Sequence, residues 1–267
     1  MTTSASLIWK RRIGSLYRWL PKTKSRKIIL IYHSVDGGPL ATGLEQFKSQ
    51  MAWLAEHANV VSLDTLLSVA DQKADAAPQV ALSFDDGYRT VHDVVAPILA
   101  EYGFPATIYL NTGHIREAEH EASDANQGHY PDEQFMNWDD VLDLQRQGWT
   151  IGSHGVAHLD LTRQPATHVE RELADSKWAI ESRLGQTCRH FSYTWGRYTP
   201  ALQDAVKDAG YASAASGMHG PPTSNSDPYA LPRIDVRDEY ELRDFADVVT
   251  GRWDFLGLKQ RLMQRLA

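Results

Sequence analysis

The sequence predicts an α/β fold, a distorted or incomplete (β/α) barrel of about seven parallel strands. Short apolar runs rich in β-branched residues alternate along the chain with amphipathic segments of about ten or more residues. This alternation is typical of parallel βαβ units, and about seven or eight such units in one chain favour a barrel over an open sheet. The length of 267 residues and the composition, 42% hydrophobic and 23% charged, are those of one ordinary barrel domain.

The first predicted strand is the apolar run KIILIYH at 27–33. The helix predicted at 44–57 has its apolar residues at helical spacing, and the helix at 90–102 ends at Gly103, a residue type that commonly follows a helix. The other predicted strands are short apolar runs at 59–63, 80–84, 105–110, 149–153, 190–193, 211–215 and 229–236. The other predicted helices are a small one before the loop at 71–79 and those at 138–147, 165–184, 200–209, 239–249 and 254–266.

Two segments depart from this alternation. Residues 1–26 form a basic N-terminal arm, and residues 111–135 are polar without a clear period, so we expect a long loop inserted at the rim of a barrel that spans 27–267. Eight of the 27 basic residues lie in the first 30 positions, which contain no acidic residue, and this leaves 19 basic against 34 acidic residues in the remainder. An acidic body argues against a nucleic-acid-binding domain.

The N-terminal arm interleaves its cations with apolar residues such as Ile8, Trp9 and Leu16. It is compatible with an amphipathic helix on an anionic membrane surface, with a solvated arm, and with a helix packed on the barrel. The sequence has neither the continuous apolar core of a cleavable signal peptide nor a run of about 20 apolar residues. Cys188 is the only cysteine, so no intrachain disulfide can form. We therefore expect a protein that is cytoplasmic or peripheral to the inner membrane.

Two adjacent carboxylates, Asp85 and Asp86, follow directly on the apolar run VALSF and precede Gly87. In α/β barrels the catalytic residues lie at the C-terminal ends of strands. Adjacent residues of an extended chain point to opposite sides, so one carboxylate can bind a metal ion while the other meets substrate or water. The alternative is that Asp-Asp-Gly only forms a turn.

A pair of histidines, His154 and His158, also follows a predicted strand. Histidines four residues apart face the same way on one helical turn, which lets both imidazoles reach one ion. Two histidines and one carboxylate leave further positions open for water and substrate, as catalytic zinc sites require. A histidine pair at this spacing also arises by coincidence in a chain with 11 histidines, but its place at a strand end, like that of the two aspartates, favours a metal site.

Together these two motifs resemble those of the polysaccharide deacetylase family, which comprises carbohydrate esterases with a NodB-like domain. The resemblance covers about residues 28–250. Its first motif is SFDDG at 83–87, and its second is SHGVAH at 153–158. The segment that leads to the second motif matches as well, because MNW at 136–138 opens a predicted helix before it.

The resemblance implies roles for four residues. Asp85 is the catalytic base, and Asp86, His154 and His158 bind one divalent metal ion, which we expect to be zinc, with cobalt or nickel as alternatives. The implied activity is metal-dependent hydrolysis of the N-acetyl group of an amino sugar in an oligosaccharide or polysaccharide of the cell envelope or of an exopolysaccharide. The partner is then an N-acetylated amino-sugar glycan.

The third motif of the family departs from its usual form in this chain. FSYTWG at 191–196 lies where many members have Arg-Pro-Pro-Tyr-Gly, so Ser192 takes the place of the arginine that orients the base. The backbone N–H of Trp195 keeps the place of the oxyanion donor, and Tyr193 is a neighbouring candidate for substrate contact. Arg233, predicted at the end of a late strand, is the candidate replacement arginine; the alternative for it is an ion pair at the barrel rim.

The late Leu-x-His motif that supplies the general acid of the family is absent, because no histidine follows His219. His33, in the run IYHS, is the candidate substitute. Deacetylases of the poly-N-acetylglucosamine type have a similar Tyr-His pair at the end of the first strand. His33 is alternatively a structural residue, and His114 is a weaker candidate for the acid.

Two other functions compete with deacetylation. A degenerate family member would bind glycan without hydrolysing it, which the altered third motif favours and the intact base and metal set opposes. A two-metal phosphoesterase would use the same residue types, but it needs bridging carboxylates and more ligands. Trp195, Tyr193 and Trp138 are candidates for stacking on sugar rings, and the alternative for each is a place in the core.

Overall fold

The computed structural model describes most of the barrel and the first helix of the arm. The described residues are 5–17, 26–37, 40–68, 76–117 and 134–266. The insertion predicted at 111–135 falls mostly on 118–133, which lie outside the described residues, so it stays a prediction. The same holds for the arm at 1–4 and 18–25 and for most of the loop predicted at 71–79.

The described strands form one curled parallel sheet, which confirms the predicted distorted barrel. In spatial order the sheet runs β10–β1–β5–β6–β7–β8–β9, and β4 pairs with the first half of β5 on the side of β6. These strands are β1 Lys27–Tyr32, β4 Asn59–Val60, β5 Gln79–Phe84, β6 Ala106–Leu110, β7 Thr150–Ser153, β8 His190–Ser192, β9 Ser213–Ala215 and β10 Ile234–Asp235. A separate short parallel pair, not predicted, consists of β2 Ser34–Val35 and β3 Ala41–Thr42.

The gap between the two edge strands, β9 and β10, is closed by irregular backbone. Ser216 N donates to Leu231 O at 2.8 Å, and Arg233 N donates to Met218 O at 2.9 Å. The strand predicted at 229–236 is therefore wrong in its first half. Pro228 and Pro232 lack the N–H that a strand ladder needs, and the segment forms a 3₁₀ turn, Pro228–Ala230, before β10.

Helices cover the outer face of the sheet. They are α1 Ala5–Tyr17, α2 Leu44–His57, α3 Leu63–Ser68, α4 Ala96–Tyr102, α5 Trp138–Arg146, α6 Ala166–Leu184, α7 Pro200–Asp208, α8 Leu242–Thr250 and α9 Phe255–Leu266. The predicted helix at 90–102 is interrupted, because a π-helical turn, Val91–Val95, precedes α4 and Pro97 cannot donate a backbone hydrogen bond. None of the described helices has the length and apolar character needed to cross a membrane.

Side chains alternate between two buried layers. Along β5, Leu82 and Phe84 pack outward against the helices, whereas Ala81 belongs to the small apolar cluster inside the barrel. Successive residues of a strand face opposite sides of the sheet, so the inward set continues with Ser83 and Asp85 toward the C-terminal edge. The barrel interior is therefore polar at the C-terminal edge of the sheet, which forms its mouth, and apolar below that edge.

The first helix is docked on the barrel rather than solvated. Leu7 is 3% exposed, and Arg11 Nε donates to Asp244 Oδ1 at 2.7 Å at the start of α8. The ring of Trp9 meets that of Phe255 edge-on at 5.6 Å. Among the three alternatives for the arm, the described part is a helix packed on the barrel.

Candidate active site

Functional side chains collect at one edge of the sheet because all its strands are parallel. The residues that follow the strand ends in chain order are His33, Asp85 with Asp86, Asn111, His154, Tyr193, Ser216 and Val236. His33, the two aspartates, Asn111 and His154 line one pocket of about 370 Å³ at the barrel mouth. This size lies within the roughly 300–1,000 Å³ of small-molecule sites.

Asp85 and Arg233 form a buried, two-pronged ion pair in the wall of this pocket. Arg233 Nη1 lies 2.8 Å from Asp85 Oδ1, and Nη2 lies 2.8 Å from Oδ2. Both residues are 2% exposed, so the alternative of an ion pair at the rim does not apply. Arg233 thus contacts the aspartate that it was predicted to orient. It does not end a strand as predicted, because it directly precedes β10, which lies on the other side of β1 from β5.

Ser192 completes this group. Its Oγ accepts a hydrogen bond from Arg233 Nη2 at 2.8 Å and donates one to Asp85 Oδ2 at 3.1 Å. The small hydroxyl leaves the room that the guanidinium occupies, and Arg233 Nε is held in turn by Ser216 O at 3.2 Å. The arginine and the serine therefore fix both oxygens of the carboxylate.

The charge state of Asp85 follows from opposing effects. Burial alone would raise the pKa of this carboxyl group, but the positive charge of Arg233 and the hydrogen bonds that it donates outweigh this effect. The pKa of Asp85 is therefore held well below its usual range. Burial works against the charge of Arg233 as well, yet its pairing with Asp85 keeps the pKa of the guanidinium above its ordinary value.

Asp86 turns away from its neighbour and faces two histidines. Its φ of 75° lies in the left-handed region that non-glycine residues seldom adopt, and such strain is common at functional sites. Asp86 Oδ1 lies 3.4 Å from His154 Nε2 and 3.4 Å from His158 Nε2, and Asn111 Nδ2 donates to the same oxygen at 3.2 Å. Asp85 therefore pairs with Arg233, whereas Asp86 faces the two histidines.

The two histidines converge without a helix. The predicted helical turn is wrong, because residues 154–160 form a loop in which Gly155 has a φ of 86° and His158 a φ of 53°. The buried carboxylate of Glu172 on α6 accepts hydrogen bonds from the backbone N–H groups of Val156, at 2.7 Å, and Ala157, at 3.2 Å. These bonds hold the loop in the shape that brings both imidazoles to Asp86.

The orientation of His154 is set by the backbone. Its Nδ1 lies 2.7 Å from Ser192 O, so Nδ1–H donates to that carbonyl and Nε2 points toward Asp86. Metal-ligating histidines usually have such a partner on the other ring nitrogen. Ser192 therefore touches the site twice, through its hydroxyl at Asp85 and through its carbonyl at His154.

Asp86, His154 and His158 fit a zinc-sized ion. Their ligand atoms all lie within 4.8 Å of one another, and among the described residues this is the one group of three such side chains that does. Tetrahedral zinc with bonds of about 2.0–2.1 Å would separate its ligand atoms by roughly 3.3 Å. The two distances of 3.4 Å from Asp86 Oδ1 to the histidine nitrogens agree with that spacing.

Trp195 forms part of the pocket rim. It is 47% exposed, its φ is 59°, and its ring centroid lies 4.9 Å from that of His158. The 3₁₀ turn that carries it packs closely on the next loop, since a Cβ on Gly196 would meet Gly217 Cα at 2.4 Å. Glycine is therefore required after Trp195, and the turn sets the tryptophan at the opening of the pocket.

Two other aromatic candidates are wrong. Tyr193 is 0% exposed, its hydroxyl donates to Tyr229 O at 2.8 Å, and its ring packs on Phe191. Trp138 is 6% exposed at the start of α5, with the guanidinium of Arg183 5.2 Å from its ring centre. Neither lines the pocket, so both have the core role that was the alternative for them.

Both candidate acids, His33 and His114, line the pocket. His33 directly follows β1 and Asp85 directly follows β5, and the last residues of these two neighbouring strands, Tyr32 and Phe84, are paired in register. His114 has its ring centroid 4.7 Å from that of Phe135, and burial lowers the pKa of His114. The imidazolium form is therefore disfavoured at His114, the weaker candidate.

Several functional residues escaped prediction. Asn111 and Glu172 hold Asp86 and the histidine loop, and Tyr88 and Phe135 stack at 5.1 Å to form an apolar wall of the pocket. Asn111 directly follows a predicted strand, the same signal that marked Asp85. No signal marks Glu172, because one acidic residue on a long helix is ordinarily solvated.

With this geometry established, comparison with known proteins identifies the family. The family model for polysaccharide deacetylases matches residues 72–214. The chain belongs to the polysaccharide deacetylase family. This confirms the predicted family and enzyme class, and the matched segment contains Asp85, Asp86, His154, His158 and Ser192.

Named relatives agree with this assignment. The chain is 27% identical over 222 residues to YxkH of Bacillus subtilis (strain 168), whose name marks it as a candidate polysaccharide deacetylase, covering 82% of this chain and 74% of that one. It is 24% identical over 224 residues to the poly-beta-1,6-N-acetyl-D-glucosamine N-deacetylase of Staphylococcus aureus (strain MRSA252), covering 78% and 70%.

Solved structures share the fold. The Streptococcus pyogenes deacetylase PplD in complex with acetate superposes with a TM-score of 0.72 at 20% identity, covering 85% of this chain and 99% of that one. IcaB from Ammonifex degensii superposes with a TM-score of 0.70 at 16% identity, covering 86% and 98%.

Proposed function

We propose that the protein hydrolyses the N-acetyl group of an amino sugar in an oligosaccharide or polysaccharide and that it needs one divalent metal ion. The observation that carries this proposal is a buried, oriented carboxylate directly beside a three-residue metal group in one pocket. Asp85 lies between Arg233 and His154, and the next residue, Asp86, faces both histidines. Hydrolysis of an unactivated amide needs a base and an electrophile at this spacing.

The metal ion is assigned to Asp86, His154 and His158, with zinc as the first choice and cobalt or nickel as alternatives. A bound ion of this kind supplies Lewis-acid polarisation of the acetamide oxygen and lowers the pKa of water. The single group of ligands among the described residues supports one ion per chain rather than the two of a phosphoesterase.

Asp85 is the proposed base. Because its pKa is held low, the carboxylate is ionised at neutral pH and can accept a proton from the attacking water. Arg233 and Ser192 hold both carboxylate oxygens, which limits the directions from which water can approach. The hydroxide equivalent then adds to the carbonyl carbon of the acetamide.

The remaining groups are proposed to stabilise the oxyanion and to protonate the leaving amine. The backbone N–H of Trp195, on the pocket rim, is the proposed donor to the oxyanion. His33 is the proposed donor of a proton to the leaving amine, with His114 as the weaker alternative. One water is consumed, the C–N bond breaks, and the products are acetate and the free amino sugar.

The test is an acetate-release screen on metal-stripped protein. Each of Zn²⁺, Co²⁺ and Ni²⁺ is added back with N-acetylglucosamine oligomers in β-1,4 and β-1,6 linkage and with the monosaccharide. Acetate release that depends on added metal supports the proposal. Binding of these glycans to metal-loaded protein with no acetate release would identify a degenerate, glycan-binding member instead.

A further inference from the structure

Two helices, α1 and α9, touch at Trp9 close to the catalytic pocket. Trp9 joins them, since its ring meets Phe255 edge-on at 5.6 Å and Lys259 Nζ lies 5.5 Å from its ring centre. Ion pairs fix α1 in place, with Lys10 Nζ 3.5 Å from Glu239 and Arg11 bound to Asp244. One face of α1 is therefore held against the barrel, and the opposite face points outward.

Exposed large apolar side chains are concentrated on these two helices. Five of the eleven exposed large apolar side chains in the described part of the chain lie on these two helices. They are Ile8, Trp9 and Leu16 on α1, at 42%, 44% and 71% exposure, and Leu258 and Leu262 on α9, at 49% and 61%. Isolated exposed leucines need no explanation, but such a concentration on two neighbouring helices marks an interaction surface.

Charge identifies the partner. The segments Ala5–Tyr17 and Phe255–Leu266 each contain three basic residues and no acidic one, in a chain of net charge −7. Lys10 and Arg11 are paired with acidic residues of the barrel, whereas Arg12 and Lys259 are exposed. Apolar residues interleaved with cations are the composition of helices that lie in the interface of an anionic bilayer. A second copy of the chain fits less well, because two such cationic surfaces would repel each other.

The helix pair also lies close to the catalytic pocket. A cleft of about 510 Å³ runs between α1 and α9 and is lined by Trp9, Lys10 and Lys259 among others. The cleft shares Gly217, Arg233 and Asp235 with the catalytic pocket and so lies directly beside it. A bilayer against the helix pair would therefore lie beside the opening of the pocket.

We propose that the outer faces of α1 and α9 bind an anionic membrane surface and that the enzyme deacetylates glycan held at that surface. The second half of this statement rests on the proposed function, whereas membrane binding does not. The inserted side chains are Ile8, Leu16, Leu258 and Leu262, and exposed cations such as Arg12 and Lys259 meet lipid phosphates. This assigns a role to α9 as well as to the arm.

Membrane binding is tested by co-sedimentation of the full chain with vesicles of phosphatidylcholine, with and without phosphatidylglycerol. We expect binding only to the anionic vesicles and its loss at high salt. The double variant Leu16→Ser/Leu262→Ser should bind about tenfold or more weakly, since two inserted leucines are lost. The matched control is Trp178→Ser, which removes a 71% exposed side chain on α6 and should bind like the wild type.

The two proposals fail in distinguishable ways. Acetate release from a soluble oligomer should be the same in Leu16→Ser/Leu262→Ser as in the wild type, while release from an acetylated amino-sugar glycolipid in anionic vesicles should fall with membrane binding. Equal binding of the wild type and the double variant would overturn the membrane surface. A dimer in light scattering that the double variant dissociates, without vesicle binding by the wild type, would assign the surface to a second copy instead. If the wild type binds vesicles but deacetylates the soluble oligomer and the vesicle-held glycolipid equally well, membrane binding stands. Only the claim that the enzyme acts on glycan held at the surface would then be overturned.

Discussion

Removal of the Arg233 side chain leaves a buried carboxylate without its partner. In Arg233→Met, Asp85 stays 98% buried and loses both 2.8 Å bonds, and only Ser192 still donates to it. Breaking a buried ion pair from one side lowers the free energy of unfolding by about 3–5 kcal/mol. The double variant Asp85→Asn/Arg233→Met should recover more than half of that loss, because it removes the unpaired charge as well.

The assay is urea unfolding at neutral pH in the presence of a chelator, so that metal binding does not contribute. The control is Arg243→Met, which breaks an exposed ion pair with Glu241 (63% and 58% side-chain exposure) and should cost about 0.2–1 kcal/mol. If Arg233→Met cost no more than this control, or if the effects of the double variant were additive, the reasoning about a buried pair would be refuted. If Arg233→Met fails to fold but the double variant folds, the unpaired charge of Asp85 is the cause of the failure, as the reasoning requires.

Three further predictions address the metal, the rim and the core. In thermal unfolding, zinc at about 100 times its Kd should stabilise the wild type by about 2.7 kcal/mol. His158→Ala should show little stabilisation by zinc. The control His168→Ala, at an exposed histidine on α6, should be stabilised like the wild type. Trp195→Ala should raise KM for oligosaccharides about tenfold and leave kcat within about twofold, because the ring is exposed while the backbone N–H remains. Tyr193→Phe should lower the free energy of unfolding by about 0.5–1.5 kcal/mol without changing KM, because Tyr229 O loses its shorter hydrogen bond and keeps only that from Gln203 Nε2 at 3.4 Å. A changed KM would return Tyr193 to the site.

The positions of the site residues along the strands were predictable. Parallel strands bring their C-terminal ends to one edge, so Asp85, Asp86 and His154 had to meet there. The alternation of the strand even shows which way each faces. Phe191 lies in the outer layer, so Ser192 faces the interior, and that is where it meets Asp85.

The same alternation explains the error at Tyr193. It shares the parity of Phe191, and its ring joins the same outer layer as Phe191 and Tyr198. Its place two residues before Trp195 suggested a sugar contact. The 3₁₀ turn that brings Trp195 to the pocket starts at Thr194, however, and Tyr193 before it is still buried. Parity along the strand was the better guide to this residue.

Other features depend on long-range contacts that a single sequence does not contain. The histidine spacing suggested a helical turn. Instead, a left-handed Gly155 and the buried Glu172, 16 residues from Val156, shape a loop that brings both imidazoles to Asp86. The pairing of Arg233 with Asp85 spans 148 residues and depends on β10 lying beside β1. Ser192 indicated that an arginine was displaced, and only the topology shows how Arg233 replaces it.

The most direct measurement of the central claim is acetate release by zinc-loaded Asp85→Asn on an oligosaccharide that the wild type deacetylates. Loss of a general base lowers turnover by about 10²–10⁴-fold, and zinc should remain bound at one ion per chain, since Asp86, His154 and His158 are untouched. Asp204→Asn, an exposed aspartate on α7, should keep wild-type turnover. Full turnover by the zinc-loaded Asp85→Asn protein would contradict the assignment of Asp85 as the base.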